Sequence, residues 1–416
     1  MALSDILKER GYVNQHSSKT VEEITDGPKR TLYLGIDPSA DSLQVGQLLG
    51  FLVVRRFLED GHKVILVIGG STGMIGDPGG KNAERPLLDA ETVKQNAEKI
   101  AEQAKRLLGS ADFTLVNNAD WLGELKMIEY LRDVGKHFPI NAMLQRDFVK
   151  DRIKNADEGI SYTEFSYALL QSYDYLHLHK EYGCDLQIGG SDQWGNIVSG
   201  VDFIRRKTGD TVYALTWPLL INRATGKKFG KTENGTIWLD AAKTPPFQFY
   251  QFWINVADED LKEYFLKLTT LSKVEIDAAI ELQRRDKRER QAQEILANHV
   301  TALVHGDEAA QTAKAVSEIL FGDKDITDLD DKALEMLRTE APSCAVEEGE
   351  NIVDVLVRSQ LATSKREARQ LLSDKGVTLG SETLHEPDRT LAEKDFKNGV
   401  ALLRRGKRSV SVLIKN

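Results

Sequence analysis

The feature that most constrains this fold is a pair of short apolar runs, each leading straight into a turn of small residues. Thr31–Ile36 (TLYLGI) ends at Asp37-Pro38-Ser39, and Lys63–Ile68 (KVILVI) ends at a glycine-rich stretch from Gly69 to Gly80. Continuous apolar runs of this length suit strands buried on both faces of a parallel sheet. Pro38 cannot continue a ladder, so the first strand must stop there. Between the runs, Leu43–Leu58 has helical periodicity, with Ser42 as the expected N-cap and Gly61 as the stop. A second helix is expected over about Glu91–Leu108 and a third strand over Phe113–Asn117. Strand, helix, strand, helix, strand predicts an α/β fold with a Rossmann-like, doubly wound parallel sheet.

Further along, Trp121–Asp157 reads as a helical insertion whose mixed content suits a subunit interface. Thr163–His179 reads as a long helix, with a weak capping-box start at Thr163 followed by Ser166 and Tyr167. Asp185–Ile188 reads as a strand, and Asp192 opens the next helix. Pro245-Pro246 marks a boundary, and Phe247–Leu320 is almost entirely amphipathic helix. Gly322–Glu350 is acidic and broken, as a linker would be. From Asn351 the pattern is short helices and then glycine-punctuated strands. A chain of 416 residues exceeds one ordinary core. The expected division is a catalytic domain over 1–220 with the insertion at about 121–157, a helical domain over 221–320, a linker over 321–350 and a small α+β domain over 351–416.

Charge is uneven along the chain. The last segment, from Asn351, holds 13 Lys and Arg against 8 Asp and Glu, a net of +5 that leaves −14 on the rest of a chain whose formal charge is −9. A basic tail on an acidic body suits RNA contact, although a solvated surface bias reads the same way. Cys184 and Cys344 lack metal-ligand spacing, which argues against a disulfide framework and a zinc site. There is no signal-peptide pattern and no apolar run of membrane-spanning length, so a cytoplasmic protein is expected.

In an open parallel sheet the ligand lies beyond the carboxyl ends of the strands. Those loops hold Asp37, Gly69-Gly70-Ser71-Thr72-Gly73 and Gly76-Asp77. Lys227-Lys228-Phe229-Gly230-Lys231-Thr232 puts a glycine between lysines, a loop that can move and stabilise charge growing on a pyrophosphate. A solvated basic turn is the alternative, as it is for Lys81 and Arg85 after the glycine-rich loop. Tyr167, Gln171 and Asp174 share one helix face, and Tyr33 lies on the first strand. A buried Asp174 needs a partner, either a ligand hydroxyl or a core network with Tyr33.

Five segments together resemble the tyrosyl-tRNA synthetases of the class I group: Tyr33–Pro38 (YLGIDP), Gly73–Pro78 (GMIGDP), Gly159–Tyr167 (GISYTEFSY), Leu186–Asn196 (LQIGGSDQWGN) and Lys228–Thr232 (KFGKT). The resemblance runs over nearly the whole chain. It implies a homodimer that activates L-tyrosine with ATP and Mg²⁺ and transfers it to the 3′ end of tRNA-Tyr. Tyr33 and Asp174 would bind the tyrosine hydroxyl. Tyr167, Gln171 and Asp77 would hold the ammonium group, with Thr72 and Gln193 nearby. Gly35, Asp37, Gly46, Gly190 and Asp192 would contact the adenylate, with Asp192 on the ribose. Lys228, Lys231 and Thr232 resemble the family's KMSKS loop, and Lys81 and Arg85 would add positive charge around pyrophosphate. In the tail, Lys365, Arg366, Arg369, Arg404, Arg405, Lys407 and Arg408 match an alpha-L RNA-binding motif, whose cations would meet tRNA phosphates.

The chain departs from the family's HIGH signature, which here reads Gln44-Val45-Gly46-Gln47. Glutamine offers a neutral N–H donor and cannot become cationic as histidine can. Activation is therefore expected to persist at a reduced rate. The alternative is a catalytically weakened relative that only binds tyrosine or RNA, against which the Tyr33/Asp174 pair and the lysine loop both speak. The tryptophan-specific relatives lack that pair and this tail.

Overall fold

A computed structural model describes residues 1–79, 88–109, 111–145, 149–150, 153, 159–221, 229–232, 235–322, 324, 326, 329–406 and 409–416, with the backbone alone at Lys231 and Thr232. The chain divides into two compact units, one of residues 1–240 and 262–277, the other of 241–261 and 278–416.

The first unit is built on a six-stranded sheet of β1 (Gln15–His16), β2 (Thr31–Ile36), β3 (Lys63–Ile68), β4 (Thr114–Asn117), β5 (Leu186–Gly190) and β6 (Tyr213–Trp217). Their spatial order is β1-β6-β5-β2-β3-β4. All neighbours are parallel except β1, which pairs antiparallel with β6 and closes that edge. Strand order reverses between β2 and β5, so the crevice for a ligand opens at their carboxyl ends. β3 is buried at five of six positions, as its unbroken apolar run requires.

Three local expectations shift. The first helix runs Leu48–Glu59 behind a 3₁₀ turn at Val45–Gln47, and Ser42 is buried inside instead of capping it. Its hydroxyl donates to the Leu43 carbonyl at 3.0 Å. The long helix Tyr162–Tyr182 is capped by Ser161, whose Oγ accepts from the Glu164 N–H at 3.2 Å. Ser161 with Glu164 is thus the S-x-x-E spacing that Thr163 only imitated. Among the described residues, the insertion after Trp121 consists of short pieces, including a π-helical turn at Tyr130–Val134.

In the second unit, β9 (Ser343–Val346), β10 (Val377–Leu379), β11 (Glu382–Leu384), β12 (Val400–Arg405) and β13 (Ser409–Lys415) form a sheet in the order β11-β10-β12-β13-β9. Alternation along β12 sends Ala401 and Leu403 into a core with the helices Ile352–Arg358 and Lys365–Ser373. Val400 and Leu402 enter a second core with Asp307–Phe321 and Asp331–Glu340. The stretch 321–350, expected as a linker, therefore carries a helix and a sheet strand. Its charge masked Ala333, Leu334 and Leu337, which are buried at helical spacing. Among the described residues no helix is long and apolar enough to cross a membrane.

Candidate active site

A cavity of about 370 Å³ lies at the carboxyl ends of β2 and β5. Its closed end is organised around two carboxylates. Asp174, on the fourth turn of the helix Tyr162–Tyr182, is buried, and its two oxygens accept from different donors. Trp121 Nε1 donates to Oδ1 at 2.7 Å and Asn118 Nδ2 donates to Oδ2 at 3.0 Å. Burial pushes the Asp174 carboxyl up to about 7, against the two hydrogen bonds, with the nearby charge of Asp37 adding to the rise. Trp121 is itself held by stacking on His177, with centroids 4.3 Å apart. Tyr33 is fully enclosed beside Asp174, edge-on to Tyr175. Burial first, and Asp174 second, raise its hydroxyl well above the ordinary tyrosine value.

Asp37, just past β2, is the second carboxylate. Thr72 Oγ1 donates to its Oδ1 and Tyr167 Oη to its Oδ2, both at 2.7 Å. Asn118 bridges the two centres, since its Nδ2 also donates to Thr72 Oγ1 at 2.9 Å. The close approach requires a glycine at position 69: a Cβ there would fall 2.1 Å from Asp37 Oδ1. Asp77 completes the wall. It accepts from Gln193 Nε2, from Asn196 Nδ2 at 3.4 Å and from the Gly79 N–H at 3.0 Å.

Three buried polar atoms of the pocket lining, Tyr33 Oη, Gln171 Oε1 and Gln187 Oε1, have no hydrogen-bond partner among the described residues. Buried polar groups cost about 1–3 kcal/mol each when left unpaired, so this end suits a ligand bearing a hydroxyl and a donor group.

The other end is formed by the turn Gln44-Val45-Gly46-Gln47 and the flanks of the lysine loop. The Gln44 N–H donates to Gln47 Oε1 at 2.8 Å, which leaves the Gln47 side-chain NH₂ as the free donor of that amide. Val45 N–H donates to the Ile237 carbonyl at 3.0 Å, and Leu239 N–H to that of Leu43 at 2.9 Å. Ile237 N–H donates to the Gly230 carbonyl at 2.9 Å, ahead of a hairpin of β7 (Lys231–Thr232) and β8 (Gly235–Thr236). Gly230 has φ +87°, and a Cβ there would lie 2.6 Å from Val45 Cγ1. The two signature segments are thus laced together. Gly35, Gly190 and Asp192 line the same cavity between the two ends.

Of the expected residues, the structure gathers Tyr33, Gly35, Asp37, Gln44, Gly46, Gln47, Thr72, Asp77, Tyr167, Gln171, Asp174, Gly190, Asp192 and Gln193 around one cavity. Lys81, Arg85, Lys228, Lys407 and Arg408 lie outside the described residues, as do the side chains of Lys231 and Thr232. Tyr167 donates to Asp37 at 2.7 Å. Asn118 and Trp121 were missed by sequence reasoning. Asn118 sits just past the end of β4, where the strand-end rule that singled out Asp37 points equally. On the tail, Arg404 is turned inward: its guanidinium donates to the Ile319 and Leu320 carbonyls at the end of the helix Asp307–Phe321. That geometry makes it a helix cap, the role a terminal cation favours. Arg405 donates to the Leu361 carbonyl and pairs with Glu367. Arg366 and Arg369 are exposed, as is Lys365, which pairs with Asp354.

A parallel sheet with its crevice at the β2/β5 reversal, bordered by a first-helix signature turn and a glycine-lysine loop, is the catalytic architecture of class I aminoacyl-tRNA synthetases. The family described as class I tRNA synthetases for tryptophan and tyrosine matches residues 25–322, and the C-terminal domain of SYY-like tyrosine–tRNA ligases matches 333–413. The chain is 43% identical to the tyrosine–tRNA ligase of Escherichia coli over 424 aligned positions, covering 99% of each protein. A truncated mitochondrial tyrosyl-tRNA synthetase of Aspergillus nidulans superposes with a TM-score of 0.69 at 31% identity, over 77% of this chain and 94% of that one. The tryptophanyl-tRNA synthetase of Encephalitozoon cuniculi shares the fold, with a TM-score of 0.55 at 14% identity over 81% of this chain and 92% of its own. The chain belongs to the tyrosine–tRNA ligases of the class I family.

Proposed function

We infer that the chain activates L-tyrosine with ATP to tyrosyl-adenylate, releasing pyrophosphate, and then transfers the tyrosyl group to the 3′ end of tRNA-Tyr. The observation that carries this reading is the closed end of the pocket, where Asp174 and Tyr33, both buried, line one cavity and the Tyr33 hydroxyl has no partner among the described residues. The tyrosine hydroxyl donates to Asp174 and accepts from Tyr33. Its ammonium group lies among Asp77, Tyr167 and Gln171, within reach of Thr72 and Gln193, displacing part of the Tyr167–Asp37 contact. That leaves the carboxylate aimed toward the adenylate, which Asp37, Gly190 and Asp192 contact, with Asp192 on the ribose. Attack of the tyrosine carboxylate oxygen on the α-phosphorus breaks the bond to the β-phosphate oxygen. The enzyme contributes position and charge stabilisation. Gln44 and Gln47 supply neutral donors to the phosphates. The lysine loop, with Lys81 and Arg85, supplies the cations. Mg²⁺ enters bound to ATP, as part of that substrate.

Two further readings complete the proposal. Met127, Ile128, Leu131, Ile140, Leu144 and Ile153 are exposed large apolar side chains of the insertion, which supports a homodimer interface there. Lys365, Arg366 and Arg369, exposed on the first turns of one helix, support tRNA phosphate contact by the tail. The test is charging of tRNA-Tyr with labelled tyrosine. The reading requires tyrosyl-tRNA to form, with an affinity for tRNA that falls steeply with salt. Binding of tRNA without any charging would leave the weakened-relative reading standing instead.

A further inference from the structure

The N-terminal segment makes contacts that the reaction described above does not use. Arg10, in the turn after the helix Leu3–Glu9, is 7% exposed. Its guanidinium donates to three backbone carbonyls: Nη1 to Leu266 at 3.0 Å and Thr269 at 2.6 Å, and Nη2 to Leu271. Tyr12, also buried, donates its hydroxyl to the Lys267 carbonyl at 3.1 Å. These acceptors are the last turn of the helix Leu261–Leu268 and the chain just beyond it. The last carbonyls of a helix lack internal partners, and a fixed five-donor fork suits them better than any other side chain.

The same helix carries Tyr264, which is buried and packs against the ring of Phe229, with centroids 4.7 Å apart. Phe229 is the root of the lysine loop, followed directly by Gly230 and Lys231. Its ring side is fixed by Tyr264. Its backbone is fixed by donation to the Leu220 carbonyl at 3.0 Å, and its own carbonyl lies 3.5 Å from where a Cβ on Gly46 would sit. An unbroken series of contacts thus runs from Arg10 and Tyr12, through Tyr264 and Phe229, to the first-helix signature turn.

We propose that Arg10 and Tyr12 are positioning residues for adenylate formation, fixing the helix against which the lysine loop is registered through Phe229. The inference rests on the reading that this loop serves pyrophosphate departure. Neither residue lines the tyrosine pocket. Their loss therefore acts on the ATP half of the reaction and spares tyrosine binding. Small misplacements of reacting groups cost up to about 10²-fold in rate.

The experiment compares Arg10→Ala, Arg10→Lys, Phe229→Leu and the Arg10→Ala/Phe229→Leu pair with the parent. It measures ATP–pyrophosphate exchange, the tyrosine Kd, and hydrogen exchange at the Phe229 and Ile237 amides. Arg10→Ala is expected to slow exchange about tenfold, to leave the tyrosine Kd unchanged and to speed amide exchange at both positions. Arg10→Lys recovers part of each effect. The double variant falls no further than the worse single one, because both act through one contact series. Exchange within about twofold of the parent, a loss that tracks the tyrosine Kd, or multiplying effects in the double variant would each overturn the proposal. Should Arg10→Ala not fold, Tyr12→Phe, which removes one hydroxyl, carries the same test with a smaller slowing. If the parent itself shows no pyrophosphate exchange, the functional reading has failed. The amide measurement then still decides the positioning, with faster exchange supporting it and unchanged exchange refuting it.

Discussion

At the closed end of the cavity, Asp174 is gripped by Asn118 and Trp121, and Asp37 by Thr72 and Tyr167, with Asn118 tying the two carboxylates into one network. At the opposite end, the described contacts are mostly backbone ones: the Gln44–Val45 segment laced to Ile237 and Leu239, and one glutamine amide turned back on its own turn. The first end is buried and over-determined before any ligand arrives. The second has fewer side-chain contacts among the described residues, and on the proposed reading it depends on the cations of the lysine loop. Substrate choice and substrate activation are therefore separable in this molecule. The first needs unpaired polar atoms in a fixed geometry, whereas the second needs charge that closes on a leaving group only as it forms.

The largest expected effect concerns the closed end. Tyrosine should be preferred to phenylalanine in kcat/KM by about 10⁴–10⁵, tyrosyl-tRNA synthetases being the type example of that magnitude. Asp174→Asn should erode the preference by about 10²-fold, since a charged acceptor of buried hydrogen bonds is replaced by a neutral one. A ratio left intact would separate hydroxyl recognition from Asp174. Next in size, Lys231→Ala should lower the exchange rate by about 10²–10³ while leaving the tyrosine Kd alone. A parallel loss of tyrosine affinity would blur the division between the two ends.

The pH dependence sharpens the comparison at smaller scale. Asp174 ionises near pH 7 in the folded protein, so tyrosine affinity should fall as the pH drops through that value, approaching tenfold per unit. The stability sign is the reverse. An ordinary carboxyl in the unfolded chain loses its proton near pH ~4. Between there and about 7 the folded state holds the extra proton, and stability declines as pH rises through that window. Asp174→Asn should flatten both curves in equilibrium dialysis and chemical denaturation. Smallest is Gln47→His. At saturating tyrosine a few-fold faster exchange is expected, with a further gain as the pH falls through ~6.5, because the introduced imidazole becomes cationic there.

The sheet and the tyrosine end were largely legible in the sequence because both depend on residue type at fixed local spacing. The run KVILVI dictates a buried strand, and Tyr167, Gln171 and Asp174 fall on one helix face whatever surrounds them. Asn118 carried a signal, its place just past a strand end, that sequence reasoning passed over, whereas nothing local to Trp121 points at a helix 53 residues away. The strand β6 escaped notice because Tyr213–Trp217 (YALTW) is short and comes only a few residues after a helix. Arg404 shows the limit most clearly. A basic cluster reads as RNA-facing, but its side chain was claimed by two helix-end carbonyls that only the folded unit brings near.

A tyrosine site built around Asp174 and Tyr33 is expected to remain an activating site with Gln44 and Gln47 in its first-helix signature. Tyrosine-dependent ATP–pyrophosphate exchange tests it most directly, measured on the unaltered chain and on the Gln44→His/Gln47→His double variant. The predicted result is exchange by the unaltered chain with tyrosine and none detectable with phenylalanine, with the double variant only modestly faster. An unaltered chain that binds tyrosine without exchange, alongside a double variant that exchanges, would contradict it.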